Sequence, residues 1–264
     1  MKISVIVPFW NSEAWLGRCC ESLLKQDGDF DFILVDDRST DNSRDIAYEY
    51  CNKDTRFMLM TNQSTKGVSG ARNTGIDYAV RCDDVDWITF LDADDELLEN
   101  AYEAYKKVIS VDSRANIHQL NHIRYYTAKN LSVNKYYNYE GVYCIGKLPQ
   151  MWFSVWNKLY RREFLKDIRF DENLQYGEDG MFILECLIKD NYLHHSDKDV
   201  VAVKHRFDNK QSLSHVKTAD DIYKQLQAYE EFWHKQTDKT VRIEVAQEIA
   251  KLWSIRMIKA IQEE

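Results

Sequence analysis

Three carboxylates fall within four residues of this chain, Asp92, Asp94 and Asp95, directly after a short apolar run. No lysine or arginine follows them before Lys106, so no near neighbour downstream in the sequence offsets their charge. Hard divalent cations such as Mg²⁺ and Mn²⁺ prefer oxygen ligands of this kind. The segment alone leaves two interpretations open: a divalent metal site, or an acidic loop that caps the next helix.

A second acidic pair, Glu178 and Asp179, follows Gly177 and precedes a helical pattern that begins at Met181. Paired carboxylates in such a turn can have shifted pKa values, and a carboxylate within reach of a hydroxyl can act as a general base. The alternative is that both residues only cap the helix. Their local sequence does not distinguish a catalytic pair from a helix cap.

Alternating strands and helices are predicted around these acidic residues. Strands are expected at 2–9, 30–35, 57–61 and 87–91. Helices are expected at 13–26, after the acidic run 36–41 through Tyr50, and from the end of segment 66–73 to about Val80. This alternation predicts a parallel sheet, whose ligands bind outside the carboxyl ends of the strands. The acidic runs 36–41 and 92–95 both fall at such ends.

Four segments occur in the order and spacing of family 2 glycosyltransferases. They are 3–11 (Ile-Ser-Val-Ile-Val-Pro-Phe-Trp-Asn), 35–43 (Val-Asp-Asp-Arg-Ser-Thr-Asp-Asn-Ser), 70–75 (Gly-Ala-Arg-Asn-Thr-Gly) and 92–95 (Asp-Ala-Asp-Asp). Segments 155–164 and 177–182 resemble the acceptor-side and Glu-Asp motifs of the bacterial polysaccharide branch. The likeness therefore covers roughly residues 1–215. One departure is Arg38, because the family usually has glycine there. A bulky cation near the expected nucleotide pocket leaves open which nucleobase the site prefers.

The resemblance implies an α/β GT-A fold, with a mainly parallel sheet flanked by helices and amphipathic helices at the C-terminus. It also implies an inverting transfer of a sugar from a nucleoside-diphosphate donor, most simply a UDP-sugar. The acceptor would be a hydroxyl of a glycan or lipid-linked glycan in capsule, O-antigen or other surface polysaccharide synthesis. The alternative is an inactive nucleotide-sugar or carbohydrate-binding protein of the same fold.

Donor-site residues follow from the same resemblance. Asp36 and Asp37 resemble the part of a base pocket that accepts a ring N–H, which fits uracil but also thymine or guanine. Arg72 is expected to contact the diphosphate, or alternatively to pair with the acidic loops. The full set of expected nucleotide-sugar contacts is Pro8, Phe9, Asn11, Asp36, Asp37, Lys66, Gly70, Arg72, Asn73, Asp92, Ala93 and Asp94.

Metal, catalytic and acceptor roles are implied as well. Asp94 resembles the direct ligand of Mn²⁺ or Mg²⁺, Asp92 the contact to ribose or metal-bound water, and His205 is a further metal candidate. With the upstream motifs present, Asp179 is preferred as the general base, with Glu178 orienting it or contacting the acceptor. Candidates for positioning the acceptor are Trp156, Asn157 and Lys158, although Trp152, Phe153 and Trp156 also fit an ordinary core.

The chain is expected to divide into a catalytic domain, 1–218, and a helical appendage, 219–264. Within the domain, 1–115 forms the nucleotide-sugar half and 116–218 the acceptor half. Two amphipathic helices are predicted in the appendage, and packing on the domain or homodimer formation is preferred. Contact with a membrane surface through Trp253 is less favoured, because several glutamates accompany it.

The composition narrows the function classes. A formal net charge of −8 argues against nucleic-acid binding, which requires a basic face. No segment approaches the apolar run of about twenty residues that spans a bilayer, so a cytosolic location is expected, with the inner face of the membrane possible for a lipid-linked acceptor. The six cysteines lack metal-type spacing and are expected to be reduced thiols. Nucleotidyl transfer is disfavoured because no glycine-rich phosphate loop follows the first strand.

Overall fold

A computed structural model describes residues 1–126, 130–135, 141–143, 154–196, 200–206, 219–243 and 245–247. In chain order the elements are β1 (Ile3–Phe9), α1 (Leu16–Leu24), β2 (Phe30–Asp36), α2 (Ser43–Lys53), β3 (Phe57–Thr61), α3 (Val68–Ala79), β4 (Trp87–Phe90), β5 (Glu96–Leu97), α4 (Ala101–Val111), β6 (Ile117–Gln119), β7 (Asn121–Tyr126), β8 (Leu131–Lys135), β9 (Gly141–Tyr143), β10 (Lys158–Arg161), a 3₁₀ helix (Arg162–Asp167), α5 (Glu178–Lys189), β11 (Leu193–His195), β12 (Val201–Arg206) and α6 (Ala219–Lys235). Residues 239–243 and 245–247 are also helical.

The larger sheet has the strand order β3-β2-β1-β4-β10-β6-β11-β9. Its first four strands are parallel, as the sequence predicts, and each begins and ends within one residue of the expected position. Beyond β4 the sheet is mixed, because β10 runs antiparallel to both β4 and β6. Helix α1 is shorter than the predicted 13–26, since the Ser12 carbonyl accepts from the N–H groups of Trp15 and Leu16 in a turn that precedes it.

Strand β1 lies between β2 and β4, and all seven of its residues are buried. Its side chains alternate between the two faces of the sheet, as the strand period requires. Val5 and Val7 belong to one apolar cluster with residues of α1, α2 and α4, whereas Ile6 belongs to a second cluster with residues of α3 and α5. The helices therefore cover both faces of the parallel strands, and polar side chains lie at the ends of these strands.

A smaller sheet joins the two halves of the chain, with the strand order β5-β12-β7-β8. Strand β5 directly follows the acidic run 92–95 and pairs antiparallel with β12, so that Leu97 lies opposite Val203. Strand β12 in turn runs parallel to β7. This pairing brings the end of the acidic run beside His205 and Arg206, which are more than one hundred residues away in sequence.

The described part of the C-terminal appendage packs on the core. Tyr229, Val241 and Val245 belong to the second apolar cluster, together with residues of α3 and α5. This is one of the two arrangements that the apolar pattern favoured. The later residues of the expected second helix, 248–264, lie outside the described part, as do Trp152 and Phe153. None of the described helices combines the length and apolar character needed to cross a membrane.

Candidate active site

The guanidinium group of Arg72 connects the acidic run 92–95 to the pair Glu178 and Asp179. Nη1 of Arg72 donates to Asp179 Oδ1 at 2.6 Å and to Glu178 Oε1 at 3.3 Å, and Nη2 donates to Asp92 Oδ1 at 3.2 Å. The Arg72 side chain is only 4% exposed. Its burial opposes the charged form, but the three carboxylates outweigh that effect and raise the pKa of the guanidinium. Carboxylates that are remote in sequence therefore lie around a single cation.

Two helix starts produce this arrangement. Arg72 lies near the beginning of α3, where a Cβ on Gly70 would lie 2.0 Å from the carbonyl oxygen of Thr65, so only glycine permits this approach. Glu178 and Asp179 form the first turn of α5, immediately after Gly177, which has φ = +80°. The N-terminus of a helix favours negative charge, so this placement stabilises both carboxylates.

Asp179 has the environment of a candidate general base. Its side chain is 23% exposed, and its Oδ2 accepts a hydrogen bond from the Val155 N–H at 3.3 Å. Burial raises the pKa of the Asp179 carboxyl, the Arg72 guanidinium acts against this, and the charge of Asp92 adds to the rise. A raised pKa makes a carboxylate a better proton acceptor. Its catalytic role stays a prediction, and so does the orienting role of Glu178.

The last acidic residue of the run has a different environment from the first two. Asp95 is fully buried and accepts from the Arg206 N–H at 2.8 Å, and its two oxygens lie 3.1 and 3.0 Å from His205 Nδ1. Burial raises the pKa of Asp95 to about 6, although His205 lowers it. The His205 ring stacks on Trp156, with centroids 4.5 Å apart. Asp95 therefore binds protein groups, which leaves Asp92 and Asp94 at the open end of the run.

Asp92 and Asp94 fit a sparse divalent metal site. Both side chains are partly exposed, and one oxygen of Asp92 pairs with Arg72. Across the described ranges, no three histidine, cysteine, aspartate or glutamate residues converge to hold a metal ion. A hard cation held by one or two carboxylates and by substrate phosphates is compatible with this donor set. Participation of His205 stays a prediction, since its Nδ1 contacts Asp95.

The expected base-pocket carboxylates have partners within the protein. Asp36 accepts from the Ser39 N–H at 2.8 Å and from Arg44 Nη1 at 3.0 Å. Asp37 accepts from Asn62 Nδ2 at 2.6 Å and from the Gly67 N–H at 2.8 Å. Both are almost completely buried. They brace the loops at the strand ends, and a contact with the base stays a prediction.

Strand β1 ends in a loop with one aromatic group open to solvent. Pro8 and Phe9 are buried, whereas Trp10 is 51% exposed and the Lys66 amine stands 5.0 Å from its ring centroid. Asn11, at φ = +46°, accepts from the Thr40 N–H at 2.8 Å and so joins this loop to the end of β2. Trp10 directly follows a buried strand and was not among the expected donor contacts, and a role for it stays a prediction.

The expected acceptor residues are buried in this structure. Trp156 is 4% exposed, Asn157 3% and Lys158 0%. Lys158 Nζ donates to the Ser154 carbonyl at 2.6 Å and to Asn157 Oδ1 at 3.0 Å, and burial lowers the pKa of Lys158 to about 7. This favours the core interpretation of Trp156. Direct contact of these three residues with an acceptor stays a prediction.

Asn73 and Ala93 complete the set of expected donor residues. Asn73 donates to the Phe170 carbonyl at 2.9 Å and to Glu172 Oε1 at 2.8 Å, whereas Ala93 is buried in the first apolar cluster. Glu172 carries no local sequence signal, because its partners in α3 and in the preceding loop lie about one hundred residues away. The five described cysteines are all free, and Cys144 lies outside the described residues.

The sequence profile of Glycosyl transferase family 2 matches residues 4–169. The chain belongs to this family. Among curated relatives, the uncharacterized glycosyltransferase EpsJ of Bacillus subtilis is 31% identical over 196 residues, which are 70% of this chain and 55% of EpsJ. A GalNAc(5)-diNAcBac-PP-undecaprenol beta-1,3-glucosyltransferase of Campylobacter jejuni is 27% identical over 206 residues, which are 73% of this chain and 62% of that enzyme. The chain thus spans somewhat more than half the length of these two relatives.

Among solved structures, residues 1–349 of TarS from S. aureus, in complex with UDP-GlcNAc, have a TM-score of 0.75. The identity is 22%, and the match covers 96% of this chain and 72% of the TarS chain. At this identity the likeness establishes the fold alone. Together with membership of family 2, it confirms the predicted α/β GT-A architecture.

Proposed function

We propose that this family 2 chain is an inverting glycosyltransferase. It would move a sugar from a UDP-sugar to a hydroxyl of a glycan or lipid-linked glycan in surface polysaccharide synthesis. The observation that carries the proposal is that Arg72 pairs with both Asp92 and Asp179. This places the strand end where the donor diphosphate is expected next to the candidate general base. The Campylobacter relative, named for an undecaprenol-linked substrate, and the TarS complex with UDP-GlcNAc support the choice of substrates.

In this mechanism Asp179 takes the proton of the acceptor hydroxyl while the oxygen of that hydroxyl attacks the anomeric carbon of the donor sugar. The bond between that carbon and the diphosphate oxygen breaks on the opposite face, so the anomeric configuration inverts and no covalent enzyme intermediate forms. Glu178 lies beside Asp179 on the same guanidinium and would orient it. The exposed fraction of Asp179, 23%, leaves this carboxylate accessible to an acceptor.

Charge that develops on the leaving diphosphate must be neutralised at the other end of the site. Asp92 and Asp94 would hold Mn²⁺ or Mg²⁺, which when bound neutralises part of that charge. Arg72 already pairs with Asp92 and is almost completely buried. A diphosphate would compete with the carboxylates for its N–H groups, since Arg binds both anions through the same planar fork.

The test is a transfer assay with purified protein, Mn²⁺, a panel of UDP-sugars and an undecaprenyl-diphosphate-linked acceptor. We expect UDP release that requires acceptor, together with a product whose anomeric configuration is opposite to that of the donor by NMR. Asp179→Asn is the matched control, because it keeps the shape of the side chain and removes the proton acceptor. Donor binding without transfer for any pair would favour the inactive binding protein, and retained configuration would contradict inversion.

Three further predictions concern the state of the protein in the cell. A homodimer through the C-terminal helices would double the molar mass measured by light scattering. Peripheral membrane contact would appear as co-sedimentation with vesicles that contain anionic lipids, and a cytosolic location would appear in cell fractionation. The packing of Tyr229 in the core supports a role for α6 within the subunit.

A further inference from the structure

The loop 62–67, between β3 and α3, carries Lys66 beside the exposed ring of Trp10. The Thr65 carbonyl lies so close to Gly70 that no larger residue fits there, which places the loop directly against the first turn of α3. Hydrogen bonds from outside the loop also hold Asn62, Ser64, Thr65 and Gly67. The charged side chains that make them are Asp37, Arg38 and Glu172.

Arg38 holds the loop from the end of β2. Its Nη2 donates to the Ser64 carbonyl at 2.9 Å and to the Asn62 carbonyl at 3.4 Å. The backbone of Arg38 has φ = +64°, a conformation that residues with a Cβ adopt at a conformational cost and that glycine adopts freely. The backbone conformation at this position therefore favours glycine over arginine. What arginine adds over glycine is the pair of contacts to the loop.

Glu172 holds the same loop from the segment that precedes α5. Its oxygens accept from Ser64 Oγ at 2.7 and 2.6 Å, and from the Thr65 N–H at 3.0 Å. It also accepts from Asn73 Nδ2 at 2.8 Å, which ties the loop to α3. Burial acts to raise the pKa of Glu172, but these hydrogen bonds outweigh it and lower the pKa to about 2. Glu172 is therefore a carboxylate at neutral pH.

We infer that Arg38 and Glu172 are positioning residues for the donor nucleotide, because together they fix the loop that sets Lys66 beside Trp10. Neither residue needs to touch the nucleotide. A loop already held in its binding position spares the donor the free energy of ordering it. This inference rests on the proposed function, since it assumes that the site binds a nucleoside diphosphate.

The decisive experiment titrates UDP in the presence of Mn²⁺ into wild type, Arg38→Gly, Arg38→Lys and Arg81→Ala. Glycine removes the guanidinium and its two contacts but suits φ = +64°, and these effects oppose each other, so the melting temperature should change little. If the freed loop occupies the binding position about one tenth of the time, the Kd for UDP rises about tenfold. Turnover at saturating donor should stay near wild type, so KM moves and kcat does not.

Two further variants separate positioning from a general loss of charge. Arg81 is an exposed arginine just beyond the end of α3, so Arg81→Ala should leave the affinity for UDP unchanged. Arg38→Lys keeps a cation without the planar fork and should recover part of the affinity. Glu172→Gln should raise the Kd in the same direction, because its amide group would face the donors that the carboxylate accepts from.

Equal UDP affinity in wild type and Arg38→Gly would overturn the inference. A fall of kcat with unchanged KM would overturn it as well, because that pattern indicates a role in the chemical step. Absence of UDP binding by wild-type protein is a different outcome, which removes the proposed function and with it the basis for this loop assignment.

Discussion

At the expected donor edge, where β1 to β4 end, the carboxylate of Asp36 has its partners three and eight residues away in sequence. On the expected acceptor side, here residues 154–206 of the predicted half 116–218, Asp179 contacts Arg72 at a separation of 107 residues. The two edges also differ in burial, since Trp10 is 51% exposed and Trp156 is 4% exposed. The first edge is thus assembled largely by a regular parallel unit, whereas the second depends on how distant elements pack.

This contrast separates two kinds of functional residue. Side chains at the donor edge are placed by strand ends that a local apolar pattern can identify. Those on the acceptor side are placed by a mixed sheet and by ion pairs between remote segments. Perturbing each edge should therefore give a different signature: changed nucleotide affinity at the first, and changed turnover or folding at the second.

The largest effect is expected at Asp179. Asp179→Asn removes the proton acceptor, and general-base catalysis is typically worth about 10² to 10⁴ in rate, so turnover should fall by that factor. Affinity for UDP should not fall, because Asp179 is proposed to contact the acceptor and its carboxylate competes with the diphosphate for Arg72. Steady-state kinetics and UDP titration measure the two quantities. Glu178→Gln in the same turn is the control and should be less damaging; near-normal turnover of Asp179→Asn would remove the distinction between the edges.

The next largest effect concerns folding and follows from Lys158. Its pKa is about 7 in the folded protein and 10.5 ordinarily, so between these values the unfolded chain binds a proton that the folded chain does not. The free energy of unfolding of wild type should consequently rise with pH across this window, by up to about 5 kcal/mol. Below pH 7 the folded state carries the full cost of the buried charge.

Lys158→Met should remove this dependence. Denaturant unfolding between pH 6 and 9.5 would show the difference between variant and wild type shrinking as the pH rises. Lys107→Met, at an exposed position of α4, is the matched control and should follow wild type throughout. A constant difference at every pH would mean that Lys158 keeps its ordinary proton affinity in the folded protein.

Much of the donor edge could be predicted from the sequence, because its strands have continuous apolar runs and its acidic residues follow them directly. The boundaries of β1 to β4 agree within one residue. Sequence could not show that Arg72 would contact Asp92, Glu178 and Asp179 together, since the pairing depends on where α5 packs. From the sequence, pairing of Arg72 with the acidic loops was only an alternative to its contact with the diphosphate.

The acceptor side was harder for a physical reason. Trp156 looks the same in sequence whether it faces a sugar or packs in the core, and its stacking on His205 depends on how segments remote in sequence pack. Glu172 was missed because its partners belong to a distant loop. The chemistry of a residue type is visible in a sequence, but the partner that its side chain contacts in the fold is not.

A smaller effect is expected at Asp94 on the donor edge. Asp94→Asn should weaken UDP binding in Mn²⁺ by at least about 10-fold, since even the loss of an outer-shell partner of a metal ligand costs about 10- to 100-fold, and bring it to the wild-type value measured in EDTA. The melting temperature should hardly change, because Asp94 is partly exposed at a crowded acidic end. Asp83→Asn, a fully exposed carboxylate, serves as control. Equal UDP affinity in Mn²⁺ and EDTA for wild type would contradict a metal role.

The smallest effect is expected at Trp10. This tryptophan is 51% exposed, in contrast to the buried Trp156. Stacking of a base on an aromatic side chain is worth about 1 to 3 kcal/mol, and at the lower end Trp10→Ala would weaken UDP binding about fivefold. Trp10→Phe keeps a ring and should recover most of the affinity. Tyr48→Ala removes a ring that is 60% exposed elsewhere on the surface and should leave UDP binding unchanged. Calorimetric titration distinguishes these outcomes, and a Trp10→Ala variant that binds UDP like wild type would show that the exposed ring lies outside the nucleotide site.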